Sequence, residues 1–327
     1  MSYFYKVRVL FSAIAYSILL VLAFPSFCRG QDWENLNKQG LQYYNNGQYE
    51  EASRLFLRSM KVANETNRPD SIQFLTALTN LAFSEKALGN YDSAQKYFRM
   101  SAEIAKEIYQ PFHIESVTPI INLANSFLPS GEYDSCEHYA MASQQLLHEI
   151  SRTNSEHYRE NIFQFYDASI NVQNLLASLA YRKGQYKIAI DMMDQQRQSL
   201  RQVYPETYRT SELYHTTLNN LATYYLANGN VAQAKPIVRE QANIALENGD
   251  SVAYLYALNN LGSVYRNLNE SDSAIFIYAA AAKKMNSGSM SDTDLHIAVL
   301  TNLGELYFTR EQYADAVTAL QHSIEVQ

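Results

Sequence analysis

Apolar residues recur along this chain at i, i+3 and i+4 spacing, the period of helices that each have one face to bury. The helical blocks themselves repeat. A small residue in a first helix is followed seven positions later by a turn residue, and five positions after that by a second small residue. The turn positions are Gly47, Gly89, Gly131, Gly184, Gly229, Asn269 and Glu311, separated by 42, 42, 53, 45, 40 and 42 residues. Self-similarity at such a period marks a solenoid of stacked supersecondary units.

The first small position holds Gly40, Ala82, Ala124, Ala177, Ala222, Gly262 and Gly304; the second holds Ala52, Ala94, Cys136, Ala189, Ala234, Ala274 and Ala316. Antiparallel helices joined by a tight turn approach closely only where neither carries bulk at the crossing. The glycine after the first helix suits a left-handed C-cap, a conformation that costs it little. Aromatic residues fill the rest of the register, with Tyr49, Tyr91, Tyr133, Tyr186 and Tyr313 two positions after the turn. Tyr43, Phe127, Tyr225, Tyr265 and Tyr307 stand three beyond the first small residue. The long third interval predicts an extended loop or lengthened helix around residues 151–165.

Composition agrees with a packed helical array. Hydrophobic residues make up 47% of the 327 and charged residues 18%, with only 11 Gly and 7 Pro. The first thirty residues read as an export signal. Lys6 and Arg8 precede an apolar run from Val9 to Phe24, Pro25 breaks it, and Cys28 and Gly30 place small residues before a cut at Gln31. An uncleaved anchor is the rival reading, since a span needs about 20 apolar residues. Without Lys6, Arg8 and Arg29, 23 basic residues face 33 acidic ones, a net charge of −10. That balance argues against nucleic acid and anionic membrane surfaces as partners. Cleavage would leave Cys136 alone, so packing rather than a disulfide must hold the fold.

Segments such as ALNNLGSVYRNLNESDSAIFIYAAA (257–281) and LTNLGELYFTREQYADAVTAL (300–320) resemble tetratricopeptide repeats, and the 42-residue spacing is similar to the kinesin-light-chain variety. The resemblance covers residues 32–327. It implies an all-α, right-handed superhelical solenoid of about seven antiparallel helix pairs. Val231 and Ser271 depart from the turn aromatic, and Pro236 stands early in a second helix. A leader over 1–30 and a solenoid over 31–327 are the expected domains.

In such an array the first helices line the concave wall. Asn80, Asn122, Asn220, Asn260 and Asn302 stand two residues before the first small position, with Asn219 and Asn259 beside them. A side-chain amide both donates and accepts, so it can pair with the main chain of an extended peptide. The resemblance implies the same role; bridging between neighbouring helices is the alternative. Phe83, Asn125, Ser178, Thr223, Ser263 and Glu305, then Tyr44, Lys86, Tyr181, Arg266 and Phe308, complete a mostly neutral wall. Lys86, Tyr181 and Arg266 join the asparagines as candidate peptide contacts.

The seven histidines form no metal spacing, and Asp292 with Asp294 lacks the other ligands of a calcium loop. Cys136 and His138 suggest a nucleophile and base, but Cys136 occupies a small packing position. No cofactor and no enzymatic activity are expected. The expected partner is a protein or peptide, bound in the groove by an exported scaffold in the periplasm, the envelope or outside the cell. Val317, Leu320 and Ile324 have no following helix to cover them, so either continuation past Gln327 or a partner over this end is also expected. Exported bacterial arrays that this chain resembles precede a CHAT-type peptidase or a signalling module. The alternative function is therefore the sensory arm of a longer signalling protein.

Overall fold

The computed structural model describes residues 33–67, 71–109, 112–153, 155–286 and 293–326. The leader or anchor over 1–30, with Cys28, and Asp292 lie outside them. The described residues are all-α, in consecutive antiparallel helix pairs. They divide into two compact units, one ending at Ala168 and the other beginning at Ser169.

In the first unit, α1 (33–45) and α2 (Tyr49–Asn67) form a pair, followed by α3 (Ile72–Ala87) with α4 (Tyr91–Ile108) and α5 (Val117–Ser126) with α6 (Tyr133–Thr153). The long interval contains α7 (Ser155–Glu160), a short additional helix, before α8 (Ile162–Arg182) begins. His157 in α7 explains its seat: its Nε2 accepts from the Ile114 amide at 3.2 Å, and its ring lies 4.2 Å from that of His113. Burial, then the neighbouring His157, pushes the His113 imidazole below its ordinary proton affinity.

The second unit pairs the part of α8 from Ser169 onward with α9 (Tyr186–Val203), α10 (Glu212–Ala227) with α11 (Val231–Asn248), α12 (Ser251–Asn267) with α13 (Ser271–Asn286), and α14 (Thr293–Thr309) with α15 (Tyr313–Val326). First helices also meet, α10 on α12 and α12 on α14. Their side-by-side placement creates a wall. Pro236 sits inside α11 without ending it.

The turns take the form the repeat requires. All seven turn positions have positive φ, from 74° to 78° at the five glycines and 59° and 61° at Asn269 and Glu311. At the second turn the Gly89 amide donates to Lys86 O and the Asn90 amide to Glu85 O, satisfying carbonyls that the helix end leaves over. The second small residues are all buried, none more than 2% exposed. Where glycine fills the first small position the partner helix brings bulk against it: a Cβ on Gly40 would stand 2.6 Å from the Phe56 ring, and one on Gly262 2.6 Å from Tyr278.

Candidate functional site

The asparagines of successive first helices are joined side chain to side chain. Asn260 Nδ2 donates to Asn219 Oδ1 at 2.8 Å, and Asn302 Nδ2 to Asn259 Oδ1 at 3.3 Å. In the first unit Asn80 Nδ2 donates to Asn37 Oδ1 at 2.9 Å. One register rule covers all three: the asparagine two residues before the first small position reaches the one three residues before it in the preceding repeat. Asn37 and Asn174 occupy the accepting position too, in a column that Thr79, Ile121 and Thr301 interrupt in the sequence.

This bridging is the alternative role, yet it uses one N–H and one lone pair of groups that carry more. The side chains of Asn122 and Asn220 have no hydrogen-bond partner among the described residues, and both are half-buried. Asn260 is the most enclosed, at 5% exposed.

Arg266 does not stand as a free cation. Its Nη1 donates to Asn302 Oδ1 and Glu305 Oε2, both at 3.2 Å, so it braces the end of the asparagine row and is neutralised there. Tyr181 stacks on Tyr224 with ring centroids 4.9 Å apart, while Tyr224 shares a 3.1 Å bond with Ser178. Lys86 is half-buried, and burial draws its ammonium below the ordinary lysine range, opposed by the Cys136 thiol. Phe83 packs edge-on against Phe98 at 5.0 Å, whereas Phe308 is 62% exposed.

Behind this wall is a polar knot that periodicity does not reveal. Glu240 in α11 accepts from Arg197 at 3.1 Å, from Arg201 at 2.6 Å and from the Tyr214 hydroxyl at 2.5 Å. Burial raises the Glu240 carboxyl, but the Tyr214 hydroxyl and the two guanidinium groups outweigh it and hold it below its ordinary range. Gln196 in α9 donates from Nε2 to Asn174 Oδ1 and to Thr217 Oγ1, tying α9 to α8 and α10. Its sequence signal is a column: seven residues after the second small position stand Ser59, Ser101, Ser143, Gln196, Gln241, Ala281 and Ser323, all buried.

Cys136 is fully buried at its small position. Among the described residues no group of three or more His, Cys, Asp or Glu side chains could hold a metal ion.

Residues 34–107, 73–147 and 213–287 match a tetratricopeptide repeat family model, and 296–327 match a second tetratricopeptide repeat model. Comparison with curated proteins gave no match. Among solved structures, aspartyl phosphate phosphatase F from Bacillus subtilis aligns at 10% identity and a TM-score of 0.69, covering 94% of this chain and 73% of that one. The quorum sensor NprR from B. thuringiensis, in its apo form, aligns at 13% identity and 0.65, covering 91% and 77%. The Rap conjugation gene regulator of plasmid pLS20, in complex with the Phr* peptide, aligns at 11% and 0.62, covering 90% and 73%. At these identities the likeness is one of fold.

Export is the expectation that these comparisons correct. The three solved structures named above are a phosphatase, a quorum sensor and a conjugation gene regulator, and none is described as an exported array. No helix among the described residues is long and apolar enough to cross a membrane. The placement in the periplasm, the envelope or outside the cell does not stand.

Proposed function

Because the chain belongs to the tetratricopeptide repeat family, we propose that it is a peptide-binding sensory module of a signalling protein, its ligand lying along the first helices with its main chain held by their asparagines. The observation that carries this reading is the asparagine row. Amides on α10, α12 and α14 are held in place by their neighbours and keep unused donors and acceptors, while Asn220 among them is untied. Positioning polar groups in advance lowers the ordering cost of binding. A peptide main chain offers alternating N–H and C=O groups that such a row can meet.

The relatives favour a sensor over a static scaffold, since proteins of like fold include a quorum sensor and a gene regulator solved with a peptide. Tyr181 and the exposed ring of Phe308 supply apolar contact for ligand side chains. Lys86 and Arg266 are less suited to a carboxylate, the first by burial and the second by its pairing with Glu305.

The test is retention of short peptides of randomised sequence on immobilised protein, read by mass spectrometry. The intact chain should retain a defined subset, and Asn220→Ala should weaken that retention about five-fold, the worth of one hydrogen bond. Helical content should stay unchanged. Retention no greater than on unfolded protein would overturn the reading, as would equal retention by a chain carrying Asn122→Ala and Asn220→Ala together.

A further inference from the structure

Two positions of the second unit depart from the pattern of their own repeat, and they meet at one cleft. Seven residues before the first small position the chain carries Trp33, Leu75, Val117, Ile170, Leu255 and Ile297, but His215 in α10. Seven residues after the second small position it carries serine or alanine in five repeats, but Gln196 and Gln241 in the other two. His215 is 8% exposed and Gln241 1%.

Gln196 shows how such a glutamine can be satisfied on its donor side, through Asn174 and Thr217. The position equivalent to Thr217 in the next repeat is Ala257, so Gln241 meets no hydroxyl there. Gln241 Oε1 and His215 Nδ1 are both buried and have no hydrogen-bond partner among the described residues. A fold that replaces an apolar and a small residue by two unsatisfied polar ones gives up stability at both places, and buried groups of that kind call for an explanation.

Both residues line a cleft of about 640 Å³ between α10, α11 and α12. Asn219, already in the asparagine row, also lines it, which places the cleft beside the proposed ligand path. Glu212 and Asp250 add two carboxylates, and no Lys or Arg is among the lining residues. Gln241 Oε1 and the carboxylates only accept, and imidazole Nδ1 accepts when Nε2 carries the proton. What the cleft lacks is a cationic donor. A primary ammonium group supplies three N–H bonds and a positive charge.

We propose that this cleft is a subsite for a primary ammonium group of the peptide ligand, donating to Gln241 Oε1 and His215 Nδ1 with its charge facing Glu212 and Asp250. The inference rests on the peptide-binding reading above. The group belongs either to the peptide's amino terminus or to a lysine side chain.

The experiment follows the imidazole nitrogens of His215 by NMR in the full chain, assigned by their loss in His215→Leu. Glycylglycinamide stands for the amino terminus and n-butylammonium chloride for lysine. Tetramethylammonium chloride carries the charge without an N–H. The His215 nitrogens should shift saturably with one or both of the first two and not with the third, and whichever binds more tightly identifies the source. Gln241→Ser installs the residue of Ser59, Ser101 and Ser143, so it should fold and melt no lower than the parent while weakening the probe about ten-fold. No saturable shift, meaning a cleft that holds water alone, would overturn the proposal. So would an equal response to tetramethylammonium, or an unaltered one in Gln241→Ser. If randomised peptides are retained but His215 is silent, the subsite fails and the peptide-binding reading stands. If the ammonium probes bind and no peptide is retained, the subsite survives and that reading falls.

Discussion

The helix pairs of α1 to α6 and those of α8 to α11 share one backbone plan and close it with different chemistry. In the first region the buried column is Ser59, Ser101 and Ser143. Each hydroxyl is satisfied close by: Ser59 by Trp33 O at 3.3 Å, Ser101 by the Thr79 hydroxyl at 2.8 Å and Ser143 by Tyr139 O at 3.0 Å. In the second region Gln196 and Gln241 fill that column, beside the knot of Arg197, Arg201, Tyr214 and Glu240. A serine hydroxyl at the crossing is filler that asks little of its surroundings. A glutamine carries an amide far enough to reach the first-helix wall and leaves bonding capacity there. The capacity to recognise a ligand is therefore to be sought where the repeat departs from itself.

The sharpest way to test what the two regions share is Gly262→Ala. Gly40 faces Phe56 in one unit and Gly262 faces Tyr278 in the other, each with no room for a methyl group. Tyr278 is fully buried and its hydroxyl is held by Ser263 at 2.8 Å, so the ring cannot simply move aside. Overpacking should cost about 3 kcal/mol, read by chemical denaturation, and Tyr278→Leu in the same chain should recover part of it. A cost-free Gly262→Ala would mean that close approach at the crossing is not what sets the helix spacing.

The polar knot should answer to acid through Glu240. The Glu240 carboxyl is held below the ordinary carboxylate range, so the stability it contributes is complete above that range and is lost as pH falls through its lower native value. Glu240→Gln removes the charge while keeping the shape. At neutral pH it should cost about 1 to 2 kcal/mol, below the full worth of charged hydrogen bonds because Arg201 is partly exposed to solvent. The gap between parent and variant should close on acidification. A gap unchanged from pH 7 to pH 3 would show that packing, not charge, holds the knot.

Much of the fold could be read from the sequence because the repeat states each position several times. The seven turn residues found by spacing all have positive φ, and the paired small positions are where helices touch. Even the exceptions at Asn269 and Glu311 keep the backbone the glycines establish. The wall was legible only in outline. Asn260 and Asn302 were identified by column, but their bonds to Asn219 and Asn259 join residues about 40 positions apart and need the stacking of helices to appear. Arg266 was read as a candidate peptide contact, and its pairing with Glu305, 39 residues away, also needs that stacking to appear. The buried glutamines were missed for another reason. A glutamine in a helix reads as a surface residue until its column is seen to hold serine and alanine at every other repeat.

The smallest expected effects separate the two glutamines. Gln196→Ser and Gln241→Ser each install the residue of the serine-closed pairs, and a count of lost volume alone would make them equally destabilising. Their bonds say otherwise. Gln196 gives up two hydrogen bonds and leaves Thr217 Oγ1 and Asn174 Oδ1 short of a donor, so its variant should lose about 1 kcal/mol. Both glutamines have a buried Oε1 with no partner among the described residues, so the difference lies in the two bonds that Gln196 Nε2 donates and Gln241 does not. The Gln241 variant should be neutral or gain up to about 1 kcal/mol, since removing a buried polar group without a partner relieves its desolvation cost. Opposite signs in thermal or urea melts would show that one glutamine serves the fold while the other is kept at the fold's expense. Equal losses would instead make both of them packing residues, and the contrast between the two regions would reduce to side-chain size.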